Sequence, residues 1–313
     1  MENINYFVSS RGILRSTTYH NAQPRSSSPN IDIDLLLNSD QLEAIYICTD
    51  ALENFSNNYL KNVKNRFNLV SGDSDLCINH EFLNSKSISN IIESPLLNHW
   101  FAQNLNVIHP KLSPIPIGMD YHTMHEIPGL WGLTKQSPLA QERALINVFS
   151  NAPKTFSRFT VGYCNWQFAV DRGDRKDCFE KIQKEFCFYE ANRLPRLSTW
   201  QRQANCMFVI SPEGAGIDCH RTWEAMLLGC IPIVKRSVFA EIFSDLPVIL
   251  IEDWSECHRE NIENIARQMN VMKFNYAKLF TRYWGAIINQ TQPLLMDPMT
   301  MDEFRDYVCH DSY

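Results

Sequence analysis

Short β-branched and aromatic runs alternate with helix-length segments along the whole chain, the arrangement expected of parallel sheets covered by helices. In the first half, strands are predicted at Asn5–Ser9, Ala44–Thr49, Phe67–Ser71, Asn106–His109 and Ile115–Gly118. Helices are predicted over Leu52–Val63 and Ser94–Asn104, the second because Leu97, Trp100, Phe101 and Leu105 recur at three- and four-residue spacings. His122–Ser137 is rich in Pro, Gly and Thr and has no period, which places a junction there between domains 1–130 and 131–313.

A second α/β unit follows. Its predicted strands are Leu145–Ser150, Phe186–Glu190, Met207–Ser211, Ile231–Val234 and Val248–Ile251, with helices near Asp174–Glu185, Pro195–Asn205, Asp218–Leu228 and Val238–Phe243. Glu260–Met272 and Phe274–Ile288 read as closing helices, and Met301–Cys309 as a terminal one that crosses back to the first domain. The fold class is therefore α/β, two Rossmann-like domains with parallel sheets facing across a cleft.

Composition narrows the function. The 313 residues carry 29 Lys plus Arg against 35 Asp plus Glu, a formal charge of −6, and no basic stripe dominates any long segment. Binding to nucleic acid through many phosphates is not expected. The longest apolar runs, such as Leu246–Ile251, fall far short of a bilayer span, and the first residues carry an acid where a signal peptide needs basic residues, so an intracellular, cytoplasmic protein is expected. The ten cysteines form no C-x-x-C pair and read as buried reduced thiols. No H-x-x-x-H or H-E-x-x-H pattern supports a zinc site.

The stretch from Phe208 to Val234 concentrates the chemistry, reading strand, glycine loop, helix, strand. Gly214 and Gly216 free the backbone to approach a ligand, and Asp218 is placed to cap the helix that follows. Exposed amides and the helix dipole favour a phosphate there, and Arg221 adds a donor fork suited to a diphosphate. Glu224, three residues on, shares nearly the same face and can accept ribose hydroxyls. Arg158 and Arg193 follow predicted strands at the same edge, where open α/β sheets place ligands.

Ser211-Pro-x-Gly-x-Gly-x-Asp-x-x-Arg221-x-x-Glu224-Ala-x-x-x-Gly229-x-Ile-Pro-Ile-Val234 resembles the nucleotide-sugar segment of exostosin-like glycosyltransferases and their small viral and bacterial relatives. The match is specific over about 25 residues from Ser211 to Val234, and Val148–Arg158 is more weakly similar to the first strand and loop of their donor domain. The resemblance implies a GT-B architecture, with the nucleotide sugar on the second domain and the acceptor on the first. It also implies that Ser211, Pro212, Glu213, Gly214, Gly216, Asp218, Arg221, Glu224 and Arg158 hold the donor, with Arg193 over the base. Uridine is the implied nucleoside and xylose a candidate sugar; the nucleotide sugar is a substrate, and no cofactor is expected. The membrane anchor and extra catalytic domain of the large animal exostosins are not expected here, so their particular substrates do not carry over.

Transfer to a glycan hydroxyl with inversion needs a base from the first domain. Asp73 is the first choice, because Ser71-Gly-Asp-Ser-Asp75 joins a predicted strand end to a glycine; Asp50, Asp75, Asp120 and His122 are the other candidates. The loop Ser10-Arg11-Gly12 and His122 are expected to contact the acceptor. Two D-x-D triplets, Asp32/Asp34 and Asp73/Asp75, raise the competing reading of a metal-dependent GT-A transferase, and a nucleotide- or glycan-binding protein without turnover is the third.

Overall fold

The computed structural model describes residues 5–33, 42–127, 129, 131–132 and 134–310. Two all-parallel sheets organise the chain, four strands in the order β1-β2-β3-β4 and five in the order β6-β5-β7-β8-β9. In the first, β1 (Glu43–Cys48) and β2 (Phe67–Gly72) are buried at every residue, as central parallel strands covered on both faces must be. β3 (Leu97–Ala102) and β4 (Leu112–Pro114) complete the sheet. Helices α1 (Ser10–Arg15), α2 (Leu52–Asn54, continued by single turns to Asn62), α3 (His80–Leu83) and α4 (Lys86–Glu93) surround it. α5 (Tyr121–Glu126) opens the stretch predicted to be structureless, capped by the Asp120 carboxylate on the Thr123 amide.

Three expectations for this half fail. Ser94–Asn104 is not a helix: its apolar residues supply β3, where the Trp100 indole donates to the Ser71 hydroxyl of β2 at 2.8 Å. The strands predicted at Asn106–His109 and Ile115–Gly118 give way to Leu112–Pro114, with Ile115 adding one more bond to Ala102. Asn5–Ser9 joins neither sheet. Its Val8 amide donates to Leu279, and its Val8 carbonyl accepts from Met119, so the segment is threaded between distant loops.

α6 (Pro138–Asn151) then leads into the second sheet of β5 (Phe159–Cys164), β6 (Cys187–Tyr189), β7 (Cys206–Ile210), β8 (Ile231–Lys235) and β9 (Ile249–Ile251). The strand predicted at Leu145–Ser150 is the end of α6; Ser137 caps that helix on the Ala140 amide, with Pro138 in its first turn. α7 (Arg175–Lys181), α8 (Arg196–Gln203) and α9 (His220–Leu227) connect the strands, followed by α10 (Arg259–Met269), α11 (Thr281–Ile288) and α12 (Met301–His310). It is α11, not the terminal helix, that returns to the first sheet. The Asn68 side chain on β2 donates to the Ile288 carbonyl at 2.6 Å, and Asn289 donates to Ser16. α12 stays on the second half, its Arg305 bonded to the Ser150 and Ala152 carbonyls.

Strand order locates the crevice. In β6-β5-β7-β8-β9 the chain steps from β5 to one side and then crosses to the other, so the direction reverses between β5 and β7. In open α/β sheets the carboxyl edge at such a reversal is where ligands generally bind. No helix among the described residues is long and apolar enough to cross a membrane. All ten cysteines are free thiols.

Candidate functional site

The loops after β5 and β7 lock onto one another at that switch point. Gly173, at φ +55°, brings the first loop so close that a Cβ there would lie 2.6 Å from the Glu213 and Gly214 carbonyls. The Asp174 carboxylate accepts from the Glu213 amide at 2.8 Å. Arg175, opening α7, donates from Nε to the Glu213 carbonyl at 3.2 Å, while Arg221 on α9 donates from Nη1 to the Pro212 carbonyl at 3.1 Å and the Ser211 hydroxyl at 3.2 Å. Burial, and then the like charge of Arg221 and of Arg172, lower the Arg175 guanidinium to about 10. None of these three arginines forms an ion pair among the described residues. Arg175 and Arg221 are thus anchored on loop carbonyls while repelling one another. Arg175 is not legible from sequence because Glu213, its partner in the β7 loop, lies 38 residues along the chain.

The glycines serve a different purpose from the expected one. A Cβ on Gly216 would lie 2.8 Å from the Asn104 side chain of the first half, and one on Gly214 would lie 3.1 Å from Arg175 Nη2. Each clears a protein neighbour. Asp218 does not cap α9, whose N-cap is Cys219 and whose first turn no side chain caps. Its carboxylate instead accepts the Trp223 indole at 2.8 Å and, across the cleft, the Ile117 amide at 2.7 Å, and burial raises it to about 7.

Arg158 is misplaced in the sequence reading. It precedes β5, at the amino edge of the sheet, where it is buried and donates to the Pro153 carbonyl at 2.9 Å and to Cys230 Sγ at 3.2 Å. The error follows from taking the end of α6 for a strand. Arg193 lies at the carboxyl edge, exposed, with its guanidinium 5.8 Å from the Phe168 ring centre. Glu224 is engaged by Arg196, which opens α8: Arg196 Nε is 3.7 Å from Glu224 Oε1 and Arg196 Nη2 is 2.8 Å from Asp120 Oδ2. Sequence inspection singled out Asp120 and Glu224 but not the arginine joining them.

A cleft of about 120 Å³ is lined in part by Ser10, Ser26, Asp73, Asp75 and His122 of the first half and by His220 at the start of α9. Asp73 stands at the end of β2 at φ +55°, with its carboxylate buried. Oδ1 accepts from the Ser26 hydroxyl at 2.8 Å, and Oδ2 lies 3.5 Å from Arg11 Nε. Arg11, expected on the acceptor, is thus an internal counter-ion bridging Asp73 and Glu126. Ser10 bonds the Tyr46 hydroxyl at 3.1 Å. Asp50 accepts a long contact from the Cys48 thiol, and Asp75 is exposed.

His122 lies in the same cleft, with Nε2 3.4 Å from Ser26 Oγ and Nδ1 3.4 Å from Asp120 Oδ1. Its pKa is lowered, because burial outweighs the pull of Asp120. Burial alone would raise Asp120, but Arg196, with His220 and His122, holds its carboxyl well below the usual carboxylate range. Of the D-x-D triplets, Asp34 lies outside the described residues, and Asp73 is already balanced by Arg11. Among the described residues no three His, Cys, Asp or Glu side chains gather as metal ligands.

No protein-family model matches the chain, and no curated protein matches it.

Proposed function

We propose that the protein is a GT-B glycosyltransferase that moves a sugar from a nucleotide diphosphate donor, a UDP-sugar by resemblance and UDP-xylose among the candidates, to a glycan hydroxyl. The observation that carries this reading is the cluster of Arg172, Arg175 and Arg221 at the β5/β7 switch point, with a separate cleft whose lining includes Ser10, Ser26 and His122 of the first half and His220 at the start of α9. A diphosphate supplies the charge that three clustered guanidinia lack, and donors fixed before binding need no reorganisation as charge grows on the leaving group. Ser211, Pro212, Glu213 and Gly214 shape the seat, with Arg221 in direct reach. The reading assigns the ribose to Glu224 on α9, which is buried and paired with Arg196, and the base to Arg193 beside Phe168. Ser10 and His122 line the acceptor side.

Attack by the acceptor hydroxyl on the anomeric carbon from the first half, with the diphosphate leaving toward the arginines, gives inversion. The positive charge is supplied by protein groups, so the reading requires no metal. The test is a nucleotide screen by thermal unfolding: a ligand at 100 times its dissociation constant adds about 2.7 kcal/mol. UDP is expected to stabilise the protein more than uridine, and equal effects would remove the diphosphate seat. Nucleotide binding without release of UDP from any UDP-sugar would favour a binding protein.

A further inference from the structure

Asp73 is poorly placed to take a proton, since one carboxylate oxygen faces Arg11 and the other accepts from Ser26. Of the two imidazoles that line the cleft, His122 meets the Ser26 hydroxyl through Nε2 at 3.4 Å. Ser26 has already given its proton to Asp73, so that nitrogen is favoured as a donor. His220 is held the other way round. Its Nδ1 lies 2.6 Å from the Gly118 carbonyl, and a carbonyl can only accept, so Nδ1 carries the proton and the neutral ring has its lone pair on Nε2. Nε2 has no hydrogen-bond partner among the described residues, and the half-buried ring lines the cleft. Gly118 is a rigid anchor for it. That residue sits at φ +63° and pairs with Ser9, and a Cβ there would run into the Val8 carbonyl.

Resting on the transferase reading, we propose that His220 Nε2 takes the proton of the acceptor hydroxyl, in the cleft where Ser10, Ser26, Ser27 and Ser74 offer hydroxyls to a polyhydroxylated acceptor. As the acceptor oxygen bonds to the anomeric carbon, the bond from that carbon to the β-phosphate oxygen breaks. Its electron pair leaves on the diphosphate, and the hydroxyl proton goes to Nε2. The imidazolium so formed keeps its Nδ1–H on the Gly118 carbonyl, a bond that strengthens as the ring becomes charged. Successive helical residues project about 100° apart, so His220 and its neighbour on α9 face different partners. Arg221 turns to the Ser211 hydroxyl and the Pro212 carbonyl of its own half, while His220 turns to Gly118 of the other. One turn of helix thus offers a cation to the leaving group and a lone pair to the nucleophile.

The charged and titratable groups around His220 are Asp218 and Arg221 on its own segment and Asp120 and His122 of the first half, with Asp73 and Asp75 on the cleft wall. A base works deprotonated, so turnover falls at low pH as the ring gains its second proton. Two substitutions separate a base from a mere contact between the halves. Asn puts an amide N–H close to the place of Nδ1 and can keep the bond to Gly118. Gln, one carbon longer, carries its amide nearer the place of Nε2 and gives that bond up. Neither supplies a basic lone pair.

The experiment has two arms. Release of UDP from UDP-xylose, UDP-glucose and UDP-N-acetylglucosamine, with water as the acceptor, should fall roughly 10²- to 10⁴-fold in both His220→Asn and His220→Gln, with UDP affinity within about threefold of the parent. The acid limb of the parent profile should be missing from both. Turnover kept by His220→Asn and lost in His220→Gln would make His220 a contact between the halves, and an unchanged acid limb would assign the proton to another group; either overturns the proposal. UDP affinity lost in proportion to turnover would move His220 to the donor side and overturn it equally. Nitrogen-15 NMR of the labelled protein at pH 8 with UDP, His220 being identified by its loss in His220→Asn, should show Nδ1 protonated and Nε2 not, and the opposite tautomer overturns the proposal. Intact UDP binding with unchanged turnover in both variants overturns this inference alone. A parent that binds no nucleotide, or releases no UDP from the three sugars, overturns the transferase reading and this inference with it.

Discussion

The Asp218 carboxylate reaches from the second half to the first and accepts the Ile117 amide at 2.7 Å. Its own backbone amide returns the contact by donating to Asn104 at 3.0 Å. The residue that the sequence motif assigns to the nucleotide is therefore a latch between the two sheets.

That latch should be legible in the pH dependence of stability. With the carboxyl raised to about 7, the folded state holds a proton that the unfolded chain releases near the ordinary aspartate value. The linked stabilisation is full below that ordinary value and is lost as pH rises through about 7. Urea unfolding should therefore show the stability of the parent relative to Asp218→Asn at its highest near pH 4 and lower at pH 8. A parent that gains stability relative to Asp218→Asn as pH rises would mean that Asp218 is charged in the folded protein.

Arg175→Ala and Arg221→Ala should each weaken UDP binding roughly 10- to 100-fold, the equivalent of one charged hydrogen bond of about 1.5–3 kcal/mol. Calorimetry reads this directly. Arg158→Ala supplies the contrast, because that side chain is buried at the amino edge against Pro153 and Cys230. It should lower stability by about 1–3 kcal/mol and leave UDP affinity within about twofold.

If protein cations carry the diphosphate, EDTA should leave UDP binding and UDP release near their untreated values, and added salt should weaken binding by screening. Strict dependence on added manganese would return the assignment to a metal-centred reading.

Gly216→Ala should destabilise by about 1–3 kcal/mol, since its Cβ would meet Asn104, which is pinned by bonds to Ser74 and Asp218. Gly214→Ala meets Arg175 at 3.1 Å, a milder overlap, and should cost less stability while reducing UDP affinity. Equal losses of stability in the two variants would show that Asn104 yields as easily as an arginine tip.

The difference between Gly214 and Gly216 illustrates what could be read from sequence. Strand positions such as Ala44–Thr49, Phe67–Ser71 and Met207–Ser211 were legible because a buried parallel strand is a short β-branched run bounded by turn residues. Leu97–Ala102 was not: its apolar spacing fits one face of a helix as well as a strand, and the choice is made by the slot between β2 and β4. Ser137-Pro138 did carry a helix-start signal ahead of Leu145, Val148 and Phe149, and missing it displaced Arg158 to the wrong edge. Arg221 was legible because its loop partners are neighbours in sequence. Arg175 and Arg196 were not, because their partners lie 38 and 76 residues away and are brought in only by the crossover topology.

The return of α11 to the first sheet has a consequence for synthesis. Asn68, fully buried on β2, finds an acceptor in Ile288, 220 residues later, and the Val8 amide waits for Leu279. Every strand of both sheets has been synthesised before these partners exist. The leading half therefore spends most of translation with an uncovered flank, and its final locking belongs to the last stage of chain elongation.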